Sequence, residues 1–171
     1  MTMSDIGLQA FADGFYRQPE AQALLLECQD RWGMDVLCLL GACWLASSGR
    51  KLDVDDWRQV LAGQAHWRDE VIEPLRRARR GIKPIVEASE LYRQVKQCEL
   101  SAEWLALEWL EPSLDRHAAV SGESVETTAR EAIAAYCEAS AVTQEAPPSQ
   151  VRDALAALAA NWRADISAPG A

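Results

Sequence analysis

The clearest candidates for chemistry in this 171-residue sequence are cations gathered in one segment, residues 67–83. That segment holds six of the seventeen Lys and Arg residues against three carboxylates, so it carries +3 while the whole chain carries −9. Guanidinium groups bind carboxylates and phosphates through paired hydrogen bonds, and Arg and Trp are enriched at the energetic centres of protein interfaces. The candidate partner- or anion-binding residues are therefore Trp67, Arg68, Arg76, Arg79, Arg80 and Lys83.

The spacing of these cations supports three interpretations. Arg76, Arg80 and Lys83 recur at i, i+4 and i+7, with Arg79 beside them, so one helical face carries four positive charges. In the first interpretation, acidic neighbours such as Glu73 or the carboxylates of the next helix compensate them, and the cations stabilise the fold.

The other two interpretations are functional and belong to different classes. In one, the Arg-rich face and Trp67 bind an acidic protein, and the chain is a non-enzymatic interaction or adaptor protein. In the other, Arg68, Arg76 and Arg79 clamp a small anion between helices, in a binding protein or an enzyme. We expect the interaction protein, and a concavity lined by these arginines would favour the small-molecule site instead.

The sequence contains no complete motif for a di-metal site, a phosphate-binding loop or a hydrolase. Glu99 and Glu103 lie one helical turn apart, but di-metal bundle sites use Glu-x-x-His, and neither His66 nor His117 has a Glu three residues before it. Glycine-rich phosphate loops and the G-x-S-x-G hydrolase motif do not occur. We therefore assign no catalytic residue, no metal ligand and no cofactor, and we expect binding rather than catalysis.

Charge and hydropathy restrict the partners and the location. A pI near 4.7 disfavours nucleic acid, because the phosphate backbone repels an acidic surface. The longest apolar run, Val36 to Ala46, has eleven residues, about half of what a bilayer-spanning helix needs. The five cysteines are odd in number and form no C-x-x-C pair, which is typical of reduced, buried thiols. We expect a cytoplasmic protein with no membrane segment.

The composition predicts an all-α fold, a compact bundle of about eight helices. Ala, Leu and Glu dominate, and these residues keep their rotamer freedom in helices. Asp35 and Asp53 are predicted N-caps, Gly33 and Gly49 are predicted helix ends, and Pro74 is predicted to kink the helix that contains it. We expect a bundle over residues 4–142, a linker over 143–148 and a last helix over 149–166, docked on the same domain.

The longest predicted helix, residues 84–111, carries a heptad pattern. Apolar residues recur along it in alternating steps of three and four, the spacing that pairs one helix with another. We expect the other helices of the chain to cover this seam and the protein to be a monomer, with a homodimer as the alternative. The seam consists of Ala88, Leu91, Val95, Cys98, Ala102, Leu105 and Trp109.

Two blocks of sequence carry a family resemblance. The first is Gln29-Asp30-Arg31-Trp32-Gly33-Met34-Asp35-Val36 with the Leu and Trp residues after it, and the second runs from Trp67-Arg68 through Pro74-Leu75-Arg76 to Lys83. Together they resemble an uncharacterised proteobacterial family of short proteins, catalogued as a domain of unknown function, over roughly residues 8–115. The resemblance implies a compact, cytoplasmic, all-helical protein, and it implies no activity.

Overall fold

The computed structural model describes residues 6–140 and 146–167, with the side chains of the last helix described up to residue 162. Over these residues the fold is all-α, as the composition predicts, with one antiparallel pair of two-residue strands, β1 (Arg50–Lys51) and β2 (Ala119–Val120). The helices are α1 (Leu8–Tyr16), α2 (Pro19–Trp32), α3 (Val36–Ser47), α4 (Val54–Trp67), α5 (Glu73–Ile82), α6 (Ser89–His117), α7 (Val125–Ser140) and α8 (Ser149–Ser167).

Helix α3 lies at the centre of the bundle, as its continuous apolar run predicts. All twelve of its residues are buried, and it contacts α1, α2, α6, α7 and α8. Its predicted caps are confirmed: the Asp35 carboxylate accepts a hydrogen bond from the Leu37 amide, and Gly49 ends the turn after the helix with φ of 73°. Gly41 allows the closest approach, because a Cβ there would lie 2.8 Å from Leu114 of α6.

A π-helical segment directly precedes Pro74, where the sequence predicts a kink. Arg68–Ile72 forms one wide turn between α4 and α5, in which the Glu73 amide donates to the Arg68 carbonyl five residues earlier. Proline has no amide hydrogen, and its ring crowds the carbonyl four residues before it. The wider turn relieves that conflict while α4 and α5 remain joined, and such π segments occur frequently at functional sites.

Helix α6 differs most from the expectation. It begins after a 3₁₀ turn at Val86–Ala88, continues past Pro112 and ends at His117. Of the predicted seam only Ala102 is buried, whereas Leu91, Leu105 and Trp109 are 40–49% exposed. The seam forms one edge of the buried face rather than its centre, because Glu99 lies in the interior. The buried residues of α6 are Glu99, Ala102, Ala106, Leu107, Leu110 and Leu114.

The remaining expectations concern the thiols, the last helix and the membrane. Four of the five cysteines are buried free thiols, as predicted, but Cys98 is exposed. Helix α8 contacts α2, α3 and α7, while residues 141–145, which include part of the predicted linker, lie outside the described residues. In the part of the chain that is described, every helix is too short or too polar to span a bilayer.

Candidate ligand-binding cavity

A cavity of about 540 Å³ lies beside the Arg-rich segment, between the corner that joins α2 to α3, the π segment with α5, and α7. Cavities of roughly 300–1,000 Å³ are typical of small-molecule sites. Met34 and Leu61 supply part of an apolar lining. The charged and hydroxyl groups of the wall include Asp35, Arg68, Glu73, Arg76, Arg80 and Tyr136.

The corner between α2 and α3 is held in place by a hydrogen bond from α7. Gly33 ends α2 in the left-handed conformation, with φ of 60°, and so turns the chain towards Asp35. The Asp35 amide donates to the Tyr136 hydroxyl at 2.8 Å. Both Asp35 and Tyr136 line the cavity, so this contact fixes one wall of it.

Arg76 forms a second fixed wall, because carboxylates from two helices hold its guanidinium. Its side chain is 6% exposed, Nη1 donates to Glu73 at 2.8 Å, and Nη2 donates to Glu103 of α6 at 2.7 Å. Burial by itself lowers the pKa of Arg76, but the hydrogen bond and charge of Glu103 outweigh burial and raise that pKa above its usual value. With its amide oxygen turned towards Arg76, Gln29 of α2 accepts from both terminal nitrogens at 3.2 Å.

Arg79 points away from the cavity and pairs with Glu99 on α6. Arg76 and Arg79 therefore occupy the position between α5 and α6 where an amphipathic helix would place apolar side chains. Burial raises the pKa of Glu103, and the hydrogen bond from Arg76 only partly offsets that rise. For Arg76 and Arg79 the expected compensation by acidic neighbours is confirmed, and the partners are Glu73, Glu99 and Glu103.

Arg68 and Arg80 have more hydrogen-bonding capacity left for a ligand. Arg68 is half-buried and donates through Nε to the exposed carboxylate of Asp69 at 2.9 Å, while its Nη1 donates to no other described residue. Arg80 is exposed, lines the cavity and forms no ion pair with any residue in the described ranges. Three guanidinium groups and the two carboxylates of Asp35 and Glu73 thus line the cavity, with positive charge in excess.

The two remaining candidates from the sequence lie outside the cavity. The Trp67 ring nitrogen donates to the Ala102 carbonyl at 3.0 Å, and its ring packs edge-to-face on Trp109 with centroids 4.9 Å apart. These contacts fasten α4 to α6. Lys83 is exposed at the end of α5.

Sequence reasoning did not identify Asp35, Gln29 or Tyr136 as site residues. Asp35 was identified as a helix cap, and Tyr136 belongs to an apolar stripe of α7, which is typical of a core residue. The small-molecule interpretation also named Arg79 where the cavity has Arg80. Residues 79 and 80 are adjacent on the helix, and the preference of Arg79 for the buried Glu99 decides which of them faces α6.

The family comparison matches this region of the chain. A family model described as "Protein of unknown function (DUF2390)" matches residues 8–110, which is more than half of the sequence. The chain belongs to this family. No curated protein and no solved structure matches the chain.

The matched DUF2390 region contains most of the cavity wall. Asp35, Arg68, Glu73, Arg76 and Arg80 all lie within it, together with their partners Glu99 and Glu103. The wall supplied by α7, with Tyr136 and Cys137, lies beyond the matched residues.

The cavity is better suited to binding than to nucleophilic chemistry. Burial raises the pKa of the Cys137 thiol, which lines the cavity, to about 11, so the thiol is protonated at neutral pH. Burial also raises the pKa of the Tyr136 hydroxyl well above its usual value. Neither group is an activated nucleophile, whereas Arg68 and Arg80 can hold an anion as they stand.

Proposed function

We propose that this protein binds a small anionic molecule in the cavity beside α5. The observation that carries the proposal is the convergence of Arg68, Arg76 and Arg80 on one concavity. An arginine-lined concavity favours a small-molecule site over a flat docking surface, because paired guanidinium hydrogen bonds bind a carboxylate or phosphate most strongly where water is excluded.

The three arginines have different roles in the proposed binding. Arg76 is fixed by Glu73 and Glu103 and supplies a rigid wall whose charge is already compensated. Arg80 and the free nitrogen of Arg68 supply the donors for the anion. The carboxylates of Asp35 and Glu73 line the same space, so the bound molecule also carries hydrogen-bond donors or a positive group.

Thermal unfolding in the presence of chosen anions tests this proposal. A ligand that binds only the folded chain stabilises it by about 2.7 kcal/mol at a hundredfold excess over its dissociation constant. The probes are inorganic phosphate, malonate and aspartate, of which aspartate adds an amino group for Asp35 or Glu73. We expect at least one of these probes to raise the melting temperature in a saturable way, and native mass spectrometry to show a bound small molecule after gentle purification.

Two substitutions and a matched control connect that effect to the cavity. Arg80→Gln and Arg68→Gln should each abolish the ligand-induced shift and leave the circular dichroism spectrum unchanged. Arg77→Gln removes an exposed cation one residue from Arg76 that does not line the cavity, so it should bind like the wild type. Equal loss of binding in Arg77→Gln and Arg80→Gln would show a general charge effect and would refute the cavity as the site.

An acidic protein partner is the second candidate function. Arg77 and Lys83 are exposed, and in the described part of the chain neither forms an ion pair, so they are free to contact another macromolecule. Capture by the wild type should weaken as salt is added, and Arg77→Glu combined with Lys83→Glu should abolish it. Capture that persists in this variant would refute Arg77 and Lys83 as the docking surface.

A further inference from the structure

The charged groups that line the cavity differ in whether the protein already pairs them. Arg76 and Glu73 line the cavity and pair with each other at 2.8 Å. Among the described residues, Arg80 has no carboxylate partner, and Arg68 pairs only with Asp69, which does not line the cavity. Two cations of the wall are therefore open to a ligand.

Asp35 is a carboxylate of the wall that has no cation beside it. Its Oδ1 accepts the cap hydrogen bond from the Leu37 amide at 2.9 Å, and no Lys or Arg of the described residues forms an ion pair with it. Burial lowers the pKa of Arg68, but the hydrogen bond from Arg68 to Asp69 and the charges of Asp69 and Asp35 outweigh burial and raise it. Asp35 is half-buried, where an unpaired charge is costly, so an ammonium group in the cavity would be stabilised there.

These three groups define the charges of the ligand. Arg68 and Arg80 each match an acid group, and Asp35 matches an ammonium group, whereas Glu73 already shares its charge with Arg76. Two cations and one carboxylate sum to +1, which is complementary to two carboxylates and one ammonium group. We propose that the ligand is an acidic amino acid, and this inference rests on the proposed function and specifies its ligand class.

The wall supplied by α7 restricts where the charges of the ligand lie. Its lining residues are uncharged at neutral pH, namely Tyr136, Cys137, Ala139 and Ser140. The charged groups come from the corner before α3, the π segment and α5. A compact molecule with its charges close together fits that side, whereas an extended polyanion would place charge against α7.

Calorimetric titration of the full-length protein with matched molecules tests the ligand class. Succinate has the carbon chain and both carboxylates of aspartate without the ammonium group. Asparagine keeps the ammonium group and replaces one carboxylate with an uncharged amide. Glutarate and glutamine are related to glutamate in the same way. We expect the better bound of aspartate and glutamate to bind at least about tenfold more tightly than both of its analogues.

Asp35→Asn connects the preference for the ammonium group to one side chain. Asn caps a helix about as well as Asp does, so this variant should keep the circular dichroism spectrum of the wild type. It should bind the acidic amino acid and its analogue without the ammonium group equally well. Asp30→Asn is the matched control, because Asp30 is exposed and does not line the cavity, so removal of its charge should leave the preference at about tenfold.

The ligand series separates this inference from the proposed function. If the wild type binds succinate as tightly as aspartate and glutarate as tightly as glutamate, the acidic amino acid is wrong and the cavity remains an anion site. Equal binding of the amide analogues would likewise overturn it. A preference that survives Asp35→Asn, or that Asp30→Asn also removes, would overturn the role of Asp35. If phosphate, malonate and the dicarboxylates all fail to bind, the proposed function itself fails.

Discussion

The core around α3 and the hairpin of α5 and α6 are built from different interactions. Every residue of α3 is buried, and its neighbours contribute apolar side chains such as Leu8, Phe11 and Ile133. Between α5 and α6, buried or half-buried positions hold Arg76 and Arg79 against Glu99 and Glu103. Apolar packing holds the core around α3. Ion pairs, in which each buried charge is compensated by its partner, hold the hairpin of α5 and α6.

The difference accounts for the position of the cavity. Apolar side chains around α3 fill space closely, whereas the guanidinium of Arg76, held by carboxylates, lines an open volume. The π segment before Pro74 sets Arg68 at the edge of that volume, while the α3 N-terminus contributes Asp35. The cavity thus lies at the boundary where the ion-paired hairpin meets the packed core.

The largest expected effect comes from breaking the ion-paired region at Arg76. Arg76→Met removes the guanidinium and leaves the Glu103 carboxylate without its partner, whereas Glu99 keeps Arg79. Stranding one member of a buried pair costs about 3–5 kcal/mol in the free energy of unfolding. Urea unfolding measures the loss. Arg76→Met with Glu103→Gln should recover part of it, because the stranded charge is gone. A loss below about 1 kcal/mol in the single variant would mean that the pairing is no stronger than at a surface.

A packing defect in the core should have a slightly smaller effect that does not depend on salt. Leu45 of α3 is fully buried, and Leu45→Ala should lower the free energy of unfolding by about 3 kcal/mol through lost contacts and a residual cavity. Leu91→Ala, at a half-exposed position of the hairpin, should cost less than about 1 kcal/mol. Equal losses at the two positions would contradict the distinction between the regions.

Alkaline pH should destabilise the core through its thiols. Burial raises the pKa of Cys28 and Cys43 to about 12, and that of Cys137 to about 11, whereas an unfolded thiol ionises near pH 8.5. Above pH 8.5 the unfolded chain therefore holds fewer protons than the folded chain, so stability falls as pH rises, by up to about 1.4 kcal/mol per pH unit for each thiol. Urea unfolding between pH 7.5 and 10 measures the slope.

Two cysteine variants identify the source of that slope. Cys43→Ala removes one buried thiol, so stability should fall less steeply with pH even though the variant starts from a lower value. Cys98→Ser should keep the wild-type slope, because the Cys98 thiol is exposed in the folded chain. A slope that is the same in all three proteins would place the alkaline sensitivity outside the buried thiols.

The sequence was more informative about the core than about the hairpin. The continuous apolar run of α3, the Asp35 cap and the helix end at Gly33 were all predictable, because local propensity and burial favour the same structure there. In α6 the heptad pattern and the buried face differ, since Glu99 is inside and Leu105 is outside. Periodicity treats Glu as a solvent-facing residue, and only the three-dimensional position of Arg76 and Arg79 reverses that assignment.

The sequence predicted the positive charge of the cavity. It did not predict which distant residues form the other walls. The cluster of cations in residues 67–83 indicated where an anion could bind, and Arg68 and Arg76 do line the cavity. Asp35 and Tyr136 come from elements 30 or more residues away from that cluster, and the contact between them joins positions 101 residues apart. Such contacts depend on how α3 and α7 pack, which no local pattern encodes.

The smallest expected effect separates backbone conformation from packing. Gly63 lies inside α4 with open space where a Cβ would be, so Gly63→Ala should stabilise the chain by about 0.5–1 kcal/mol, by reducing the backbone freedom of the unfolded state. Gly49 has equally open space but a φ of 73°, and Gly49→Ala should instead destabilise by about 1–2 kcal/mol. Urea unfolding of both variants measures the contrast. Because neither new methyl group meets another atom, a difference of sign can come only from the backbone. Destabilisation by Gly63→Ala would show that α4, which joins the core to the π segment, needs flexibility at that position.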